Sequence, residues 1–71
     1  MSIVGDTHVV FKGQISIGIP EVMAFLAAHS GSGKWVELQF DKDQNLTTVY
    51  GDVSIIDKLT KLLIELGYEK N

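Results

Sequence analysis

The chain has 71 residues, 45% of them hydrophobic, with no cysteine and with six lysines against nine carboxylates for a net charge of −3. It is too apolar for disorder and too short for more than one domain, burying only about 60% of the surface its unfolded chain exposes; without thiols it can form neither a disulfide nor a thiolate metal site. An acidic balance without a single arginine speaks against nucleic-acid binding, which relies on a basic stripe and bidentate arginine contacts.

The first residues lack the charged start and apolar run of a signal peptide, and no apolar stretch approaches the ~20 residues needed to span a bilayer. A cytoplasmic protein without membrane attachment is expected. Residues 1–6 read as a flexible or strand-forming lead and 7–71 as one domain.

In chain order, His8 to Lys12 alternates as a strand, with Val9 and Phe11 on one face and His8, Val10 and Lys12 on the other. A glycine-containing loop, Gly13 to Ile19, leads to a helix opening at Pro20, where the fixed φ suits the first helical position and Glu21 complements the helix dipole. Val22, Met23, Phe25 and Leu26 recur at helical spacing, and Ser30-Gly31-Ser32-Gly33 stops the helix. Trp35 to Asp41 alternates strictly, placing Val36, Leu38 and Phe40 inward and Glu37 and Gln39 outward. A polar turn from Lys42 to Asn45 joins it to a third strand, Leu46 to Tyr50, which Gly51 is expected to break. Ser54 reads as the N-cap of a second helix, with Asp57 completing a capping-box-like pair. Ile56, Leu59, Leu63 and Leu66 form its apolar stripe, Gly67 its stop, and Tyr68 folds back on the last turn.

The order strand, helix, strand, strand, helix predicts an α+β sandwich with both helices on one face of an antiparallel sheet. A right-handed crossover makes strands one and two parallel, with strand three between them.

The spacing of these elements, together with Gly51-Asp52-Val53-Ser54 and Gly67-Tyr68-Glu69, resembles the heavy-metal-associated domain of copper chaperones and metal-pumping ATPases. The similarity covers roughly residues 7 to 69. It implies a ferredoxin-like fold, βαββα with the final strand short or absent, because only Glu69, Lys70 and Asn71 follow the Gly-Tyr pair. Aligned from Gly13, the family's metal-binding loop falls on Gln14, Ser16, Ile19 and Tyr68, with Ser16 and Ile19 in the places of its two cysteines. A hydroxyl and an aliphatic side chain cannot hold a soft metal as thiolates do, so the resemblance implies a scaffold that has lost metal binding. It also implies an open edge on the first strand, unless residues 1–5 cover it.

Other chemistry finds little footing. Ser30 to Trp35 suggests a phosphate loop but has Ala28 where the motif needs glycine, Trp35 where it needs Ser or Thr, and a helix where it needs a strand. His8 and His29, expected at one pole of the fold, supply at most half a metal site. No nucleophile, base and orienting group recur together, so an enzyme is not expected. Alternation places Val10, Trp35, Leu46 and Tyr50 on the sheet face without helices, an aromatic-bearing surface of the kind that carries protein-binding energy; the alternatives are that the N-terminal lead covers this face or that Trp35, at the start of its strand, turns into the core.

The expected function is a non-catalytic protein-interaction module without cofactor, binding a larger protein or a second copy as a homodimer through this face or the first-strand edge. The alternative is a small-ligand or metal-ion binder using the 13–19 loop or the two histidines. An inhibitor of an enzyme is a weaker third reading that no residue supports.

Overall fold

A computed structural model describes residues 6–29, 31 and 34–71. The elements run β1 (Asp6–Lys12), α1 (Pro20–His29), β2 (Val36–Asp41), β3 (Leu46–Asp52) and α2 (Val53–Glu65). The sheet order is β1-β3-β2, with β3 antiparallel to both neighbours. β1 and β2 are therefore parallel, joined through α1, as the crossover rule predicts. The chain is a small α+β fold of a three-stranded antiparallel sheet and two helices.

Alternation decides which side of the sheet is dry. Phe11 of β1 and Thr47, Val49 and Gly51 of β3 are buried, and they close over Ile15, Val22, Ile56, Leu59 and Leu63 in one core. α2 packs on β1 and β3 with Ile55, Ile56, Leu59 and Leu63 inward. Ile55 lies off the stripe read from the sequence. α1 contributes only Val22 as a fully buried residue, with Phe25 and Leu26 half-buried, while Met23 is 56% exposed. Phe40 shares the inward face of β2 but is also exposed, because β2 is an edge strand and Phe40 sits near its end.

Three element boundaries differ from expectation. β3 runs through Gly51 to Asp52 instead of breaking at Gly51. Gly51 is needed there for closeness: a Cβ would strike the carbonyl oxygen of Trp35 and lie 3.0 Å from Cα of Val36. The glycine thus permits pairing that a side chain would prevent. β1 starts at Asp6, two residues earlier than His8, because the longer β3 gives Asp6 and Thr7 partners in Asp52 and Gly51. The N-cap of α2 is Asp52, not Ser54. Asp52 is extended (φ −62°, ψ 135°), and its carboxylate accepts from Ser54 N at 3.0 Å and Ser54 Oγ at 2.7 Å. Ser54 lies inside the first turn, so its hydroxyl supports the cap instead of forming it.

The expected stop of α2 is present in full. Gly67 takes φ 104°, its N–H donates to Ile64 O, and Tyr68 N donates to Leu63 O, the paired bonds that close a helix on a left-handed glycine. Tyr68 is thereby laid against the core. The chain then turns along the outer edge of β1: Lys12 N donates to Glu69 O at 2.8 Å and Asn71 N to Val10 O at 2.8 Å, with Phe11 and Lys70 facing each other. The first-strand edge, expected to be open, is closed over Val10–Lys12 by the chain's own last residues. Residues 1–5, Ser30, Ser32 and Gly33, including the expected lead strand and most of the helix-ending run, lie outside the described residues.

Candidate functional site

The loop aligned with the metal site is built around a buried threonine. Thr47 Oγ1 accepts from Ile15 N at 3.1 Å and donates to Gly13 O at 2.7 Å, so one hydroxyl satisfies both a donor and an acceptor of the loop. Sequence reasoning missed Thr47; only the β1–β3 register brings it beneath residues 34 positions away. Ser16 then closes a tight turn, its Oγ accepting from Gly18 N and its carbonyl from Ile19 N. Ile19 packs against the core, Tyr68 does so from the far side of the chain, and Gln14 is exposed. Tested against a soft metal, the donor set does not fit: the one hydroxyl is engaged locally and its partner position is aliphatic.

The two histidines belong to different layers. His8 stands on the outer sheet face with its ring 6.0 Å from that of Tyr50. His29 lies in the helical layer, its ring 4.3 Å from Phe25 and its Nδ1 2.9 Å from Phe25 O. Both lie toward the Gly51 end of the sheet, as expected, but alternation turns His8 away from the helices and His29 lies beside Trp35 and Val36 on the other side. Among the described residues no group of three or more His, Asp or Glu is placed to hold a metal ion. A cleft of about 300 Å³ lies between Leu26, His29, Lys34, Trp35, Val36 and Ile55, at the helical side of β2.

The outer face carries the remaining candidates. The register sets it out in rows: Asp6 and Asp52 lead toward Trp35, then come His8–Tyr50–Glu37, Val10–Thr48–Gln39 and Lys12–Leu46–Asp41. Val10, Leu46 and Tyr50 are half-buried by their neighbours, and Trp35 is 47% exposed. Val10, Leu46 and Tyr50 share this face in separate rows, Tyr50 toward one end, Val10 in the middle and Leu46 last, while Trp35 precedes β2 at the Tyr50 end and also borders the cleft on the helical side. No described helix covers them.

Trp35 is held in a definite pose. Its Nε1 donates to Asp6 Oδ1 at 3.2 Å, and Asp6 lies two strands away, about 10 Å at ordinary strand spacing. The indole therefore reaches across the end of β3. Backbone anchors it from below, since Asp52 N donates to Trp35 O at 3.1 Å. Glu37 is steadied by Gln39, whose Nε2 donates to Glu37 Oε2 at 3.1 Å.

Charge is divided between the two sides. The outer face and its rim hold Asp6, Glu37, Asp41, Asp52 and Glu69 against Lys12, which pairs with Glu69 at 3.7 Å, and Lys34, which lies by Asp52 and donates to Ser54 Oγ at 2.9 Å. The helices carry Lys58 and Lys61 against Glu21, Asp57 and Glu65, and Lys42 and Asp43 cancel in the turn. The outer face and its rim are thus acidic on balance.

Comparison with known proteins finds no matching family model, no matching curated protein and no matching solved structure.

Proposed function

We propose that the chain is a non-catalytic protein-interaction module on a ferredoxin-like scaffold of the heavy-metal-associated kind, using the outer sheet face instead of a metal. The observation that carries this reading is Trp35, 47% exposed yet held by a side-chain bond across the sheet, at the head of a face no described element covers. A rigid aromatic that loses little freedom on binding is the usual anchor of a protein interface. Val10, Leu46 and Tyr50 extend the apolar area along the same face. The thiol-free loop supports the same reading, because Ser16 and Ile19 serve the fold locally.

The test is a Trp35→Ala, Tyr50→Ala double variant, checked for folding by its amide spectrum and compared with the wild-type chain by sedimentation and by partner capture. Loss of the captured partner, or of a self-associated species, in the folded variant is the expected result. A monomeric wild-type chain whose captured proteins are the same with and without both substitutions would refute the proposal.

A further inference from the structure

Resting on that reading of the outer face, we propose that its Trp35 end seats an arginine side chain of a different protein. Three rings and two carboxylates lie toward that end of the sheet. Trp35, just before β2, accepts from Asp52 N at 3.1 Å, which sets it one step along the sheet from the Glu37–Tyr50 row, the diagonal spacing at which large side chains come within reach. His8 joins from β1, its ring 6.0 Å from that of Tyr50. Glu37 stands beside Tyr50 in the same row, and Asp6 marks the far end of the indole.

The geometry suits a planar cation. The Nε1–Asp6 bond spans the sheet, so the indole lies across the end of β3 with part of its surface turned to solvent. A guanidinium stacks on such a ring and forks to a carboxylate in one pose, whereas an ammonium is a point charge without that planar match. Asp6 spends one oxygen on Trp35, and Glu37 one on Gln39; the second oxygen of each has no hydrogen-bond partner among the described residues. A carboxylate at the indole nitrogen and another beside Tyr50, on a face with more carboxylates than lysines, favour an occupant of opposite sign.

That occupant is not a second copy of the chain. The sequence contains no arginine, and two outer faces brought together would oppose five carboxylates to five with two lysines on each side. Like charges so placed disfavour the isologous contact. The partner chemistry is therefore an arginine-bearing protein surface with apolar groups to set against Val10 and Leu46.

Trp35 is the sole tryptophan and reports directly on the site. The full chain is titrated with three short synthetic peptides, in which leucine alternates with arginine, lysine or the neutral isostere citrulline, while emission and amide resonances are followed. The arginine peptide should shift Trp35 emission saturably and move the resonances of His8, Glu37 and Tyr50. The lysine peptide should bind about threefold more weakly, and Glu37→Gln should weaken arginine binding about threefold while leaving citrulline binding unchanged. Equal binding of arginine and citrulline at this face would overturn the arginine assignment and leave the interaction surface standing. Resonance changes confined to the helical layer, no saturable change with any peptide, or concentration-dependent self-association through this same face would also overturn it; the double-variant experiment judges the interaction surface separately.

Discussion

Single polar atoms settle how this small core closes. Thr47 is fully buried and is the one residue whose side chain serves both the Ile15 amide and the Gly13 carbonyl. Thr47→Val keeps the shape and removes both bonds, leaving a buried donor and acceptor unpaired, and should cost about 1–3 kcal/mol in urea unfolding. Thr47→Ser should retain most of the stability; an unchanged midpoint in the valine variant would refute the role. Asp52 acts at the surface. The Ser54 hydroxyl, then its backbone N–H, holds the Asp52 carboxyl below the ordinary value of 3.8. Because the folded value lies below the unfolded one, the contribution of this carboxylate is complete above the unfolded value and is lost as pH falls through the folded one. Ser54→Ala should raise the Asp52 titration midpoint toward 3.8 and lower stability at neutral pH, with no contribution from this group once pH is below both values. Carbon-13 carboxyl titration alongside urea midpoints at several pH values checks both statements.

At the scale of elements, β1 owes its protected edge to residues 69–71. Two backbone bonds join them to Val10 and Lys12. Removing the three residues deletes both, at about 0.5–1.5 kcal/mol each, and exposes a strand edge able to recruit another chain. The shortened chain should unfold at lower urea and sediment with a concentration-dependent mass; a monomer of unchanged stability would contradict the assignment. The two helices differ for a readable reason. α2 is amphipathic, capped by Asp52 and closed by Gly67, whereas α1 is apolar on nearly every side and buries only Val22 completely.

For the whole molecule the margin is narrow. A domain of this size is worth roughly 4–10 kcal/mol at the usual stability per residue. Leu59 is fully buried at the centre of α2's inward face, so Leu59→Ala should cost about 2–5 kcal/mol, a large part of that margin. Ile64→Ala, at an exposed position of the same helix, should stay within about 0.5 kcal/mol. Thermal unfolding of the pair measures the contrast, and equal losses would refute the placement of the core. The concentrated core on one side of the sheet also explains the acidic outer face: with the helices on the inner face, the outward positions of β1 and β2 were free to be acidic. Among the described residues no helix is long and apolar enough to cross a membrane.

Periodicity alone determined the five elements, their order, the inward residues of β1 and, Ile55 apart, the buried residues of α2, because burial on one side of a strand or helix imposes its period on the chain. It also marked the Gly67 stop and, through the crossover rule, the central place of β3. Three features rested on close approach between distant residues: the Cβ-free contact of Gly51 with Trp35, the hydroxyl bridge of Thr47, and the pairing of the last residues with β1. The candidate site divides the same way. Val10, Trp35, Leu46 and Tyr50 were legible as outward residues, since alternation places them. The indole reaching across β3 to Asp6, with Glu37 and the His8–Tyr50 pair beside it, was decided only by register, which sets neighbours across strands and leaves no local trace in the order of residues.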